Sequence, residues 1–503
     1  MDTTRVLLGC SIVAIASMIL LANSINGKEE ERKTLNTSPV IKEQGVEARS
    51  EEWARYYPRQ YETWKKTSES VKIDDMLKNK PQLAVLWAGY GFASDYNAPR
   101  SHFYALQDNI NTLRTGAPVS PTTGPSPTAC WSCKSPDVPR LIGRVGEKEY
   151  FTGKWARFGS EVVNSVGCAD CHDSRTGNLV LSRPWLKKGL ESAGVRFDRI
   201  PHQQMRSLVC AQCHSEYYFQ KREETDANGG KQVVNTVTFP WANGFKGESI
   251  EEYYDLKGFS DWIHAISKAP MLKAQHPDYE LYTTGIHSRR DVACADCHMP
   301  YIQQGSVKFS SHHVGNPLDD IENTCLNCHQ ETEEEFKAIV RLKLERKEEL
   351  MEMAMNGLAK AHLEAGRAWE AGATEAEMQD ILQDIRHGQW RWDYSIASHG
   401  SFFHAPEETL RLLAGAGDLA QQARIKLAAV LAGHGVIGYQ APDFSTKEKA
   451  QALAGVDLQK EIAEKQRFKA TLVRQWEKEA VEKGRLNPDA RAGMNDSSSY
   501  SNN

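Results

Sequence analysis

Five short stretches decide how this chain is read: Cys130-Trp131-Ser132-Cys133-Lys134, Cys168-Ala169-Asp170-Cys171-His172, Cys210-Ala211-Gln212-Cys213-His214, Cys294-Ala295-Asp296-Cys297-His298 and Cys325-Leu326-Asn327-Cys328-His329. Of eleven cysteines, only Cys10 falls outside these pairs, so Cys-x-x-Cys spacing exhausts the other ten. Four of the pairs are followed at once by histidine. Cys-x-x-Cys-His is the attachment signature of c-type haem: two thiols add to the porphyrin vinyl groups as thioethers, and the adjacent imidazole reaches the iron from one face. Zinc or disulfides would also use paired cysteines. Neither needs a histidine directly after the second cysteine four times over, and an exported chain does not usually keep thiols free for zinc.

The first motif carries Lys134 where the others carry His172, His214, His298 and His329, so one of five haems differs from the rest. A lysine ammonium has no lone pair to give. Ligation therefore requires an amine whose free pKa of about 10.4 is lowered by burial and by the iron's positive charge. The competing reading is a degenerate motif whose iron takes a histidine from elsewhere. A haem with two histidines is coordinatively saturated and suits electron transfer, so each of the four ordinary haems needs a second imidazole. Sixteen histidines are present and four lie in the motifs, which leaves twelve candidates for four places. Spacing alone does not choose among them.

The rest of the chain sets the context. Its 503 residues are 40% hydrophobic and 25% charged, and a mean hydropathy of −0.55 excludes a polytopic membrane protein. A net charge of −5 and pI near 6.4 give no basic stripe for nucleic acid, so any attraction of an anion must be local. Residues 6–22 are almost wholly apolar, follow Arg5 and give way to a polar stretch over 26–33. This reads as an export signal within residues 1–24. An uncleaved membrane anchor is the competing reading, because the run is long and lacks a clean small-x-small cleavage site. Cys10 sits inside this run as an incidental apolar residue.

Residues 25–50 read as an irregular leader. Residues 51–330 hold every motif and are rich in Gly, Pro and loops such as 118–127, which predicts a mainly α haem-binding catalytic region of short helices with little sheet. From residue 331 apolar side chains recur at three- and four-residue spacing, as at Phe336, Ile339, Val340, Leu342 and Leu344. The pattern predicts a long-helix region over 331–485, with helices at 331–372, 374–396, 407–433 and 447–483 and stops at Gly372 and Gly433. Residues 486–503 end in a Ser/Asn-rich stretch and read as a flexible tail.

Lysine in the first of five motifs and histidine in the rest closely resembles the pentahaem, ammonia-forming cytochrome c nitrite reductase family. So do segments outside the motifs: Asn111-Thr112-Leu113-Arg114-Thr115-Gly116, Cys213-His214-Ser215-Glu216-Tyr217-Tyr218, Lys273-Ala274-Gln275-His276-Pro277 and Phe403-His404-Ala405-Pro406. The resemblance runs from about Trp53 to about Gly433 and implies a multihaem cytochrome c fold carrying five covalent haems c. It implies that nitrite binds the open face of the haem ligated by Lys134, walled by Arg114, Tyr217 and His276. It further implies one calcium ion per chain held by the side chains of Glu216 and Gln275 and the carbonyls of Tyr217 and Lys273. The distal ligands carry over as His102 for the His214 haem, His287 for the His329 haem, His312 for the His172 haem and His404 for the His298 haem, with His313 a chemical equal to His312. Other implications are a periplasmic location, a homodimer built on the long helices, and a multihaem electron donor, either a membrane quinol dehydrogenase or a soluble cytochrome.

The chemistry of those residues agrees with an anion reductase. Arginine holds an anion, histidine gives protons near neutral pH, and tyrosine donates a hydrogen bond. Two other readings stand beside nitrite reduction: a related multihaem reductase acting on hydroxylamine, sulfite or tetrathionate, and a plain electron carrier. A carrier has no use for an open iron walled by Arg114, Tyr217 and His276.

Overall fold

The computed structural model describes residues 14–25, 45–196, 200–225 and 229–488. Most of the expected signal and leader, and the tail beyond residue 488, lie outside the described residues. Residues 14–25 form a helical stretch with its apolar side chains exposed, and among the described residues no helix is long and apolar enough to cross a membrane.

The region of the motifs is built as the sequence predicts, from short helices joined by loops. They include α1 (Ala105–Asn111), α2 (Cys168–Cys171), α3 (His202–Ala211), α4 (Asp278–Thr284) and α5 (Cys294–His298). Three motifs start or end on such helices. Among the described residues sheet is confined to three two-stranded antiparallel ribbons, the longest pairing β1 (Tyr218–Thr225) with β2 (Lys231–Thr238).

Beyond the last motif the chain becomes long helices. α6 (Glu333–Glu370), α7 (Glu375–Ala397) and α8 (Pro406–Gly433) lie within about two residues of the predicted spans. Thr332 and Thr374 open α6 and α7 with capping boxes closed by Glu335 and Glu377. Gly372 at φ +95° ends the first, as predicted; α8 runs through Gly433, and the left-handed residue that follows it is Gly435 at φ +78°. The three helices bury an Ala-, Leu- and Met-rich seam against residues 83–88.

The fourth predicted helix is a correction. Residues 447–483 form α9 (Lys447–Leu453), α10 (Leu458–Phe468), a π turn at Lys469–Val473 and α11 (Arg474–Glu482). Gly455 at φ +72° breaks the first from the second, and Asp457 caps α10 through the Lys460 amide. The physical reason lies in packing. α10 and α11 leave the long helices and cover the motif region, where Phe468, Val473 and Trp476 join the core of Trp131, Trp155 and Trp185. Gly159 makes this possible, since a Cβ there would fall 2.1 Å from the Trp476 ring.

Candidate active site

One connected cavity of about 2050 Å³ runs through the motif region. All ten motif cysteines line it, together with Lys134, His172, His214, His298 and His329. It is well above the 300–1,000 Å³ or so of a pocket for one small ligand. No disulfide joins any of these ten cysteines. Among the described residues no three Cys, His, Asp or Glu side chains converge as a zinc site would require.

Four imidazole pairs face one another across this cavity. Ring centroids are 6.2 Å apart for His102 and His214, 6.0 Å for His172 and His312, 6.2 Å for His287 and His329, and 6.1 Å for His298 and His404. Two imidazoles bound to opposite faces of one metal through ring nitrogens at about 2 Å place their centroids roughly 6 Å apart. The residues therefore fit four bis-histidine haems. His312 stands opposite His172, whereas the neighbouring His313 is exposed.

Hydrogen bonds at Nδ1 orient several of these rings and leave Nε2 toward the cavity. The partners are the Gly177 carbonyl for His172 at 2.8 Å, the Gly315 carbonyl for His298 at 2.9 Å and the Ser310 carbonyl for His312 at 2.9 Å. His214 is different, with Nδ1 3.1 Å from the Asp278 carboxylate, which also accepts from Ser398 at 2.6 Å. Burial pushes His102, His312 and His404 down to about 4, so each stays neutral with a lone pair available to a metal.

The motifs also abut one another. The Cys133 thiol lies against Cys213, and Cys210 against Cys294. Cys171 is within electrostatic range of Cys213, and Cys297 of Cys325. The first and second motifs thus both adjoin the third, which leads through the fourth to the fifth.

At the first motif the fold brings together the other residues singled out by sequence. Arg114 sits on a turn at Leu113–Thr115, half-buried, with its guanidinium 4.7 Å from the Phe92 ring centroid and donating to Thr112 Oγ1 at 3.1 Å. Gly91 lets this turn approach; a Cβ at 91 would lie 3.0 Å from Arg114 Cβ. Tyr217 enters from the end of the third motif, and burial raises its phenol well above the usual range, keeping it protonated. His276 follows the extended segment after Met271, and burial, then Lys134 and His214, lowers its proton affinity. Lys134, Arg114, Tyr217 and His276 all line the cavity.

Behind this wall lie the oxygens expected to bind calcium. Glu216 is fully buried; its carboxylate accepts from the Gln275 amide N at 2.6 Å and from Tyr254 Oη at 3.0 Å. The Gln275 side chain contacts the Lys273 carbonyl at 3.1 Å, while the Lys273 ammonium is taken by Asp393 at 2.8 Å. Burial, then Glu280 and Asp261, raises Glu216 well above the usual carboxylate range. Burial likewise pushes Asp261 up to about 7 and Glu280 up to about 8. Glu216 and Glu280 are fully buried and Asp261 half-buried; among the described residues none of the three forms an ion pair, and beside the amide and carbonyl oxygens they form a donor set that suits a hard divalent ion.

Sequence reasoning missed a knot of side chains that ties three motifs together. Arg183 is fully buried, donates to the Ser132 and Ser135 carbonyls, both at 2.8 Å, and forms a close ion pair with Asp170. Those carbonyls flank Lys134, and Asp170 is a spacer residue of the second motif. Gln212, a spacer of the third, accepts from the Arg183 amide N at 3.1 Å and donates to the Asp170 carbonyl at 2.8 Å. The available signal was a polar residue at the second spacer position of every motif: Ser132, Asp170, Gln212, Asp296 and Asn327.

Residues 49–485 match the cytochrome c552 family model. The cytochrome c-552 of Desulfotalea psychrophila is 64% identical over 99% of this chain and 98% of its own length. That of Aliarcobacter butzleri is 51% identical over 99% and 100%. The fold superposes with a TM-score of 0.69 and 29% identity on the catalytic subunit of cytochrome c nitrite reductase from Desulfovibrio desulfuricans ATCC 27774, covering 84% of this chain and 91% of that one. That protein has two calcium sites. The chain belongs to the cytochrome c552 family.

Proposed function

We propose that this protein reduces nitrite to ammonium with six electrons and eight protons at the haem of the first motif, ligated by Lys134 and fed by four bis-histidine haems. The observation that carries the reading is the single cavity in which four imidazole pairs stand at haem-spanning distance and the first motif, which has no such pair, lies beside Arg114, Tyr217 and His276. The haems, when attached, supply electron storage and an open iron coordination position.

The chain's own residues do the rest. Arg114 holds the anion with a charge that cannot be lost, in a half-buried place where the attraction is little screened. His276 is kept neutral by burial until an anion arrives, and the anion's charge raises its proton affinity. Proton uptake is thereby coupled to substrate binding. Tyr217 presents a phenol proton to the same space and stays neutral while doing so. The pairs His102/His214, His172/His312, His287/His329 and His298/His404 hold the other four haems, and the abutting motifs keep electron transfer short.

A calcium ion at Glu216, Gln275 and the carbonyls of Tyr217 and Lys273 would fasten the segments bearing Tyr217 and His276 to one another. Metal analysis should find one calcium per chain at this site. Chelation should lower nitrite turnover severalfold, with recovery on adding Ca²⁺ and not Mg²⁺; turnover indifferent to chelation in calcium-free protein would remove this role. The reading also includes export to the periplasm, on the apolar N-terminal run, and a multihaem electron donor. A homodimer through α6 is supported by exposed Ile339, Leu342 and Met353, and sedimentation at the mass of two chains is the expected result.

The direct test uses purified holoprotein with a reduced viologen dye. One ammonium per nitrite and six electrons is expected, from protein whose spectra show four low-spin haems and one high-spin haem. Nitrite left unreduced by protein holding all five haems would overturn the reading in favour of another multihaem substrate or a carrier.

A further inference from the structure

The geometry points to Lys465, on α10, as a positioning and specificity residue that fixes the Arg114 turn and adds a second positive charge to the anion-binding end of the cavity. This rests on the proposed reduction of nitrite at that site.

Lys465 is 4% exposed and lines the cavity. Its ammonium has three acceptors: the Ile110 carbonyl at 3.1 Å, Thr115 Oγ1 at 3.2 Å and the Gly116 carbonyl. All three lie on the segment that carries Arg114. Thr115 Oγ1 in turn donates to the Asn109 and Thr112 carbonyls, so one ammonium gathers the end of α1 and the turn after it. An ammonium has three N–H donors and no acceptor, and here each donor has a partner; a neutral amine would leave one acceptor unserved.

Among the described residues no carboxylate is hydrogen-bonded to Lys465. Asp95, on the neighbouring loop, is committed to the Leu113 amide N at 2.9 Å. Glu461, one turn earlier on α10, accepts from Ser94 Oγ at 3.0 Å. The charged groups that bear on Lys465 are Asp95 and Glu461, which favour its charge, and Lys469 and Arg114, which oppose it. Burial pushes Lys465 down to about 7, and the three acceptors hold the charged form against that. A cation buried beside a second cation and without a dedicated counter-ion is costly. An anionic substrate at Arg114 relieves that cost, and a neutral one does not.

The test compares two substrates of the same iron: nitrite, an anion, and hydroxylamine, which is neutral near pH 7. Lys465→Met removes the charge and Lys465→Arg keeps it. With Lys465→Met the nitrite dissociation constant, read from the spectral change of the high-spin haem, should weaken on the order of tenfold. The KM for nitrite should rise with it and the KM for hydroxylamine should stay within about twofold, while Lys465→Arg restores nitrite binding. Equal losses on both substrates would mean Lys465 is structural only, and unchanged nitrite binding would remove it from the site; either overturns the inference. If Lys465→Met does not assemble, Lys465→Gln, which keeps an N–H donor and loses the charge, decides: the nitrite dissociation constant should weaken on the order of tenfold and that of hydroxylamine should stay within about twofold. Parallel or unchanged constants would refute the inference. Failure of wild-type protein to reduce nitrite would instead strike the functional reading itself.

Discussion

Arg183→Met is expected to be the most damaging single change outside the motifs, costing about 3–5 kcal/mol, the range for breaking a buried ion pair by removing one partner. The substitution leaves Asp170 buried without its cation and strips donors from the Ser132 and Ser135 carbonyls on either side of Lys134. Two consequences separate this from ordinary core damage. Thermal unfolding should begin earlier, and the high-spin signature of the first haem should broaden or split, because the turn presenting Lys134 is no longer held. Adding Asp170→Asn to Arg183→Met removes the stranded charge and should recover part of the stability without sharpening that signature. If the single variant unfolds like wild type and keeps a sharp high-spin signal, Arg183 does not position the lysine turn.

Arg183 also shows where sequence reading stops. The five motifs, the lysine substitution and the three long helices were legible because each rests on local chemistry: adjacent residues that bind one group, capping boxes at Thr332 and Thr374, and apolar residues at helical spacing. The four histidines that stand opposite the motif histidines were named by resemblance. The pairing of His172 with His312 in preference to His313 was not decidable from spacing, because neighbouring imidazoles are chemically alike and only the approach of chain segments far apart in sequence separates them. Arg183, Gln212 and Lys465 act the same way. Each is an ordinary polar residue in its local context and gains its role from carbonyls 42 to 355 positions away in the chain.

The broken C-terminal helix fails for a related reason. Residues 447–483 keep helical periodicity throughout, yet the apolar positions before Gly455 and those after Asp457 bury in different clusters, the first in the one that residues 83–88 share with the long helices and the second in that of the motif region. Periodicity reports that a face is buried, and it does not report against what. The redirection matters for function because it is what carries Lys465 to the Arg114 turn.

Lys134→His should leave all five haems attached while lowering nitrite kcat on the order of 100-fold. Attachment depends on Cys130 and Cys133, which the change does not touch, so covalent haem content is the control. Ligand identity is another matter. An amine on a long flexible stem reaches the iron only after losing a proton, whereas imidazole is shorter, planar and already neutral near pH 7. Histidine at 134 would give the first motif the same Cys-x-x-Cys-His pattern as the other four. The ring must also fit a turn whose carbonyls are pinned by Arg183, so the iron would be drawn from the position that Arg114, Tyr217 and His276 surround. Lys134→Arg provides the complement: a guanidinium does not deprotonate in proteins, so no nitrogen lone pair is available and the axial position goes to water or to another residue. Both variants should lose nitrite turnover, with spectra that differ from wild type and from each other. A plain carrier would show only a moved potential at one haem. Wild-type nitrite turnover in Lys134→His protein carrying five haems would mean the lysine is incidental, and the case for this haem as the catalytic one would then rest on the residues of the opposite wall alone.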